Sequence, residues 1–297
     1  IKEKLIAGAP GAYDGFWLAE CLSAGQMAHL IHVSVDDRAL ARSADILAWA
    51  APEVERIIFP AWDCLPYDRV GPNTTIAAKR IDALYRLAAR TSDAGPVAVL
   101  TTANALLQRV PAPTAYLSAG LTITTGESLN SETFLAYAAA NGFERAETVM
   151  EPGEYALRGG LIDVFPPSLG YPVRLDLFGD EVERIRSFDP LTQISTAILE
   201  RIVLTPVSEV LLTEDAITQF RTHYRELFGT VRDNDELYAA ISAGRRQPGM
   251  EHWLPLFTDD LVSLPDYLPG GTLSLGDGAD DAVAMRLPGA TDLSSHV

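Results

Sequence analysis

Pro96-Val97-Ala98-Val99-Leu100-Thr101 is a short apolar run with no polar alternation, and it reads as a buried strand. Two similar stretches lie upstream, His29-Leu30-Ile31-His32-Val33 and Val54 to Phe59. Helical signals separate them. Asp14 is placed to cap a helix through Phe16-Trp17-Leu18 and Cys21-Leu22 that ends before Gly25. Asp36 or Asp37 caps a second helix through Leu40, Ala44 and Leu47. A third starts at Thr75 and turns Ile76, Ile81, Leu84 and Leu87 inward. Strand and helix alternating at these lengths predict an α/β fold, a parallel sheet covered by helices.

The rest of the chain has a different texture. From about 112 to 205 the helical signal is limited to Ser131 through Ala140, ended by Gly142-Phe143. Val149 to Phe165 and Tyr171 to Phe188 read as antiparallel strands, so this stretch is expected to be a small α+β unit. Helices return after 206. Thr213 caps a stripe of Ile217, Phe220, Tyr224 and Leu227 closed by Gly229, and Asp235 to Ala243 is a further helix stopped by Gly244. The segment from Gly270 to Val297 is rich in Gly, Asp and Ala and carries little pattern. The expected division is 1–111, 112–205 and 206–297.

A chain of 297 residues suits about two domains and can bury a substantial core. Hydrophobic content of 47% and charged content of 21% are globular values, which exclude disorder as the main state. No apolar run approaches the ~18 residues a spanning helix needs, so a membrane protein is not expected. The net charge of −17 makes unaided binding of nucleic acid a poor expectation, though Arg245-Arg246 is a local basic pair. Two cysteines, Cys21 and Cys64, are too few for a disulfide framework or a zinc site. The opening Ile1-Lys2-Glu3-Lys4 has no initiator methionine and no signal-like stretch after it, which suggests a piece of a longer, cytoplasmic protein.

Gly8-Ala9-Pro10-Gly11-Ala12-Tyr13-Asp14-Gly15 stands where a phosphate-binding loop would, just before a helix. Laid on G-x-x-x-x-G-K-[ST], Gly8 fits, but Tyr13, Asp14 and Gly15 replace the second glycine, the lysine and the hydroxyl residue. A carboxylate in place of the phosphate-pairing cation repels a nucleotide, so Gly8, Gly11 and Asp14 are expected to form a degenerate loop with no cofactor. Phe59 to Asp68 sets two large aromatics and two acids between prolines, either a recognition loop or a rigid anchored connection. Asp180-Glu181-x-Glu183 and Asp259-Asp260 lack a companion Lys or His at useful spacing and read as solvated faces, so neither metal nor catalytic residues are expected.

The most informative pattern is Val173-Arg174-Leu175-Asp176-Leu177-Phe178. Period two puts Val173, Leu175 and Leu177 on one face and Arg174, Asp176 and Phe178 on the other. Three apolar residues facing a core leave a large aromatic outside beside a guanidinium, the composition of a protein-binding hot spot. Arg158, just before Gly159-Gly160, belongs to a neighbouring strand. The bland alternative is that Phe178 packs under a loop while the arginines pair with acids such as Asp180 or Glu181.

Several stretches resemble the amino-terminal region of the bacterial transcription-repair coupling factors (Mfd). They are Phe59-Pro60-x-Trp62-Asp63-x-Leu65-Pro66-Tyr67-Asp68, Arg80 with Leu84-Tyr85-x-Leu87, and Asn104-x-Leu106-x-Gln108-Arg109-Val110. Further on come Glu154-Tyr155-Ala156-x-Arg158-Gly159, Asp163-x-Phe165-Pro166, Arg174-Leu175-Asp176-x-Phe178-x-Asp180-Glu181, and Gly249-x-Glu251-x-Trp253-x-Pro255-Leu256. The matches run in order from about residue 6 to 269, and the last 25 or so residues match only loosely.

The resemblance implies a plan similar to the excision-repair protein UvrB, a RecA-like α/β domain in two parts with a smaller domain inserted between them. It implies that the phosphate loop is degenerate, that the inserted domain contacts UvrA, and that the contact residues fall on Arg158, Arg174 and Phe178. The complete family members also bind RNA polymerase and drive DNA translocation with ATP through other domains, beyond this chain. The expected function is therefore UvrA recruitment without ATP hydrolysis. Two alternatives stay open at this point: a nucleotide-dependent hydrolase, and a structural or autoinhibitory module that masks the UvrA face.

Overall fold

The computed structural model describes residues 6, 13–65, 70–91, 93–231 and 235–286. It is a mixed α/β protein that divides into two compact units. One comprises residues 1–61, 90–109 and 263–297, and the other residues 62–89 and 110–262. These units follow packing, and their limits differ from the composition changes near 112 and 205.

The first unit holds α1 (Tyr13–Ser23), β1 (His29–Ser34), α2 (Asp37–Ala50) and β2 (Glu55–Phe59). In the second unit α3 (Thr74–Ala88) follows, before the chain returns with β3 (Val97–Thr102) and α4 (Ala103–Leu106). Every residue of β3 is buried, as its unbroken apolar run requires. Two capping details differ from the sequence reading, at α1 and α3, and at α2 one of its two candidates is the cap. Asp14 lies inside the first turn of α1 and its carboxylate takes the N–H of Gly15, so it is not the N-cap. Asp36 is the cap of α2, accepting from the N–H of Ala39. Asn73 caps α3 through the N–H of Thr75, and the helix begins at Thr74, one residue before the expected start.

The second unit continues with β4 (Val110–Pro111), α5 (Pro113–Ser118), β5 (Leu121–Thr124), α6 (Ser131–Asn141) and β6 (Glu144–Arg145). Helix α5 is an addition to the expected content of this stretch. Pro113 at its first position pre-sets φ for a helix but reads locally as a breaker. Helix α6 ends at Gly142 in the left-handed region, φ 87°, as anticipated. The antiparallel stretch resolves into β7 (Glu154–Arg158), β8 (Leu161–Val164), β9 (Val173–Phe178), β10 (Glu181–Phe188) and β11 (Ser195–Leu199), after which β12 (Arg201–Leu204) pairs with β5. The six-stranded sheet runs β11-β10-β9-β8-β7-β6. Its inner face, with Ile162, Val164, Val173, Leu175, Val182 and Ile185, packs with Phe134 and Ala138 of α6.

After β12 come α7 (Glu214–Phe228), α8 (Glu236–Ser242) and β13 (Leu261–Val262), the last paired with β4. Phe220 is fully buried and stacks on Phe257 with centroids 4.9 Å apart. Leu227, read as inward-facing, is 64% exposed on the last turn of α7. In the unpatterned segment after 270 the described residues, up to 286, carry regular structure, and 287–297 lie outside the described residues. The segment supplies β14 (Thr272–Leu275) and α9 (Ala279–Ala284) to the first unit. β14 joins as the parallel edge strand of the sheet β14-β1-β3-β2, with Ser274 opposite His32. Among the described residues, no helix is long and apolar enough to cross a membrane.

Candidate functional site

The outer face of the six-stranded sheet gathers the residues singled out in the sequence. Register fixes who shares it: Asp163 lies opposite Arg174, which lies opposite Arg186, while Leu161 and Arg184 flank Asp176. Two tight turns lie at the same end of the sheet. Arg158 and Leu161 are joined through Gly159-Gly160, and Phe178 and Glu181 through Gly179-Asp180. The first central residue of each turn is a glycine at positive φ, 61° for Gly159 and 64° for Gly179, which two-residue hairpins need. The turns also touch, since the N–H of Leu177 donates to the carbonyl of Gly160 at 2.7 Å.

Two arginines facing each other across neighbouring strands would repel, and each is matched by its own carboxylate. Arg174 pairs side-on with Asp163, Nε to Oδ1 at 2.6 Å and Nη2 to Oδ2 at 2.8 Å. Its guanidinium also lies over the ring of Phe188, 4.9 Å from the centroid. The bond to Asp163 raises the pKa of Arg174 above its ordinary value, so the charge is permanent. Arg186 reaches diagonally to Asp176, Nη2 to Oδ1 at 2.8 Å. Arg158 donates to the carbonyl of Glu147 and to Oγ1 of Thr148, the latter at 3.0 Å. The bland sequence reading named Asp180 or Glu181 as partners of the arginines; Arg174 bonds instead to Asp163 and Arg158 to the 147–148 loop, because pairing follows sheet register rather than nearness in sequence.

Phe178 packs under nothing of the kind that reading supposed. It ends β9 with 80% of its surface exposed, while Val173 and Leu175 on the opposite face are buried. The other half of this face is closed by a small cluster of Val149, Ala156, Phe165 and Phe188. What remains open is an apolar ring at a rigid strand end, on a sheet face with charged groups held in fixed geometry. Such a surface suits protein recognition, where a preorganised aromatic fills a pocket at little entropic cost. Asp163, Arg186 and Phe188 were missed as members of this face. The signal for Asp163 was a lone carboxylate in the otherwise apolar run Leu161-Ile162-Asp163-Val164.

The remaining candidates fall elsewhere. Gly8 and Gly11 lie outside the described residues. Asp14 sits 3.7 Å from Nε2 of the buried His32, whose Nδ1 is 3.2 Å from Ser274 Oγ. Burial lowers the pKa of His32, with Asp14 opposing that shift. In the loop after β2, the indole N–H of Trp62 donates to Glu209 at 2.9 Å, and residues 66–69 of that stretch lie outside the described residues. Asp259, read as lacking a nearby histidine, has His223 at 3.5 Å, brought there by the fold from a distant helix. Arg246 of the basic pair donates to the carbonyl of Val210 at 2.6 Å and packs against Gly142, so it serves the interior. Among the described residues no group of three or more His, Cys, Asp or Glu is arranged to hold a metal ion.

Comparison with known proteins bears on this face directly. Residues 121–210 match the family described as the UvrB interaction domain, and that stretch spans β7 to β11. The chain is 35% identical to the transcription-repair-coupling factor of Haemophilus influenzae over 265 residues, 89% of this chain and 22% of that protein. It is 34% identical to that of Escherichia coli over 232 residues, 77% of this chain and 20% of that protein. For that of Myxococcus xanthus the values are 32% over 276 residues, 88% and 22%. The chain thus spans about a fifth of the length of the curated relatives it matches.

Proposed function

We propose that this chain, a homologue of the transcription-repair-coupling factors with a UvrB interaction domain, binds UvrA and so takes part in transcription-coupled nucleotide excision repair. The observation that carries the reading is Phe178, an 80% exposed aromatic at a rigid strand end within the matched domain. Phe178 is the apolar anchor, and Arg158 and Arg174 are the polar contacts beside it. In this reading residues 112–205 are an inserted UvrA-binding domain, and 1–111 with 206–297 form a RecA-like domain arranged as in UvrB. RNA polymerase and DNA are then engaged by other parts of a longer protein, in the cytoplasm.

In the same reading the segment hydrolyses no ATP. The carboxylate of Asp14, at the start of α1 and close to His32, supports this because it offers a nucleotide phosphate repulsion where a lysine would pair with it.

The test is a calorimetric titration of the chain with UvrA beside the Phe178→Ala variant. Truncating a central anchor costs about 2 kcal/mol or more, roughly thirtyfold in affinity. Unchanged affinity in the folded variant removes Phe178 from the interface, and no binding by the parent chain removes the UvrA reading.

A further inference from the structure

Asp163 is buried in the middle of a strand, a position at which an ionised carboxylate is costly unless it is paired and hydrogen-bonded. Its partner Arg174 uses Nε and Nη2 on the two carboxylate oxygens, and the ring of Phe188 lies against the guanidinium. Three constraints therefore fix one planar group: two charge-assisted hydrogen bonds and a stacking contact. Side-on pairing consumes one edge of the fork, and among the described residues Nη1 makes no hydrogen bond within the chain. Arg174 keeps 17% of its side chain open to solvent, whereas Asp163 keeps 5%.

We infer that Asp163 is a positioning residue for partner recognition: it holds Arg174 by Nε and Nη2 so that Nη1 is kept, in one orientation, as a hydrogen-bond donor for the bound protein. The inference rests on the UvrA reading and deepens it. Without Asp163 the long arginine side chain regains its rotamers, and ordering it again on binding weakens the complex. Pairing by Asp163 also explains how the sheet tolerates Arg174 and Arg186 directly opposite each other.

The experiment is a calorimetric titration with UvrA of the parent chain, Asp163→Asn, Arg174→Ala and the double variant, with thermal unfolding recorded for each. Asp163→Asn is expected to weaken binding about tenfold, the loss of one hydrogen bond to a charged group. Arg174→Ala should do the same, and the double variant should lose no more than either single change. A carboxylate with only a structural role would lower the unfolding temperature and leave the affinity of the folded protein unchanged. That result, or losses that multiply in the double variant, overturns the inference. If Asp163→Asn does not fold, Arg174→Lys carries the test, since it keeps the charge but has no Nη1; binding at parent strength overturns the inference. Phe178→Ala separates the inference from the reading beneath it. Loss of binding there, with parent-strength binding by Asp163→Asn, leaves UvrA as partner and removes the role of Asp163. No binding by the parent chain removes both.

Discussion

Glu209 accepts two hydrogen bonds from the guanidinium of Arg80, 2.6 Å from Nε and 3.2 Å from Nη2, and both side chains are shut away from solvent. The indole of Trp62 donates to the same carboxylate, and Arg80 faces the Trp62 ring 5.5 Å from its centroid. Helix α3, the loop after β2 and the segment after β12 are thereby tied at one point. The two charged residues are 129 positions apart in the chain.

Removing Glu209 strips two charge-assisted hydrogen bonds from a guanidinium held in a low-dielectric interior. Glu209→Ala is therefore expected to destabilise the protein by about 3–5 kcal/mol. Urea unfolding at neutral pH measures this, and a loss below about 1 kcal/mol would show that water replaces the carboxylate. The change lies away from the Phe178 face, so UvrA affinity of the folded fraction should hold.

The contact between the two hairpin turns makes a second expectation. A Cβ on Gly160 would stand 2.8 Å from the carbonyl oxygen of Leu177, a backbone atom that yields only if the strand end moves. Gly160→Ala should cost about 1–3 kcal/mol, as overpacking does, and should weaken UvrA binding by displacing Phe178 one residue on. Gly95→Ala, where nothing lies within 4 Å, is the control. Faster hydrogen exchange at the Leu177 amide in the Gly160 variant would report the shift directly; equal exchange in parent and variant counts against it.

A third expectation concerns pH. Burial lowers the pKa of His32 below its ordinary value, with the nearby Asp14 acting in the other direction. The folded protein holds this ring neutral where the unfolded chain takes up a proton. Stability is then complete above about pH 6.5 and falls as pH drops below it, down to the folded-state pKa, by at most about 1.4 kcal/mol per pH unit. His32→Gln should flatten the slope of unfolding free energy between pH 7 and 5. The same slope in both proteins would mean that His32 is not the group responsible.

Much of this architecture is legible locally. Asp36, Asn130, Thr213 and Asp235 each cap a helix with a side-chain oxygen on an N–H three residues on, a geometry contained within one turn. The alternation in Val173–Phe178 requires no knowledge of the neighbouring strands, only that one face is buried. Phe178 was therefore readable as exposed. The partner of Arg174 was not, because Asp163 meets it through the register of β8 on β9.

Sequence alone thus determined where most of the strands and helices form, though not α5, β14 or α9, that the loop around Asp14 lacks a phosphate-pairing lysine, and which face of β9 carries the aromatic and the guanidinium. These follow from periodicity, capping and charge, all of which act over a few residues. Tertiary structure decided that the pattern-poor Thr272–Leu275 becomes the edge of the parallel sheet, held by β1. It also decided that Arg80 finds Glu209 and that Arg174 finds Asp163. Ion pairs between buried groups are set by which backbones lie side by side, and that depends on closing the whole core rather than on any stretch of it.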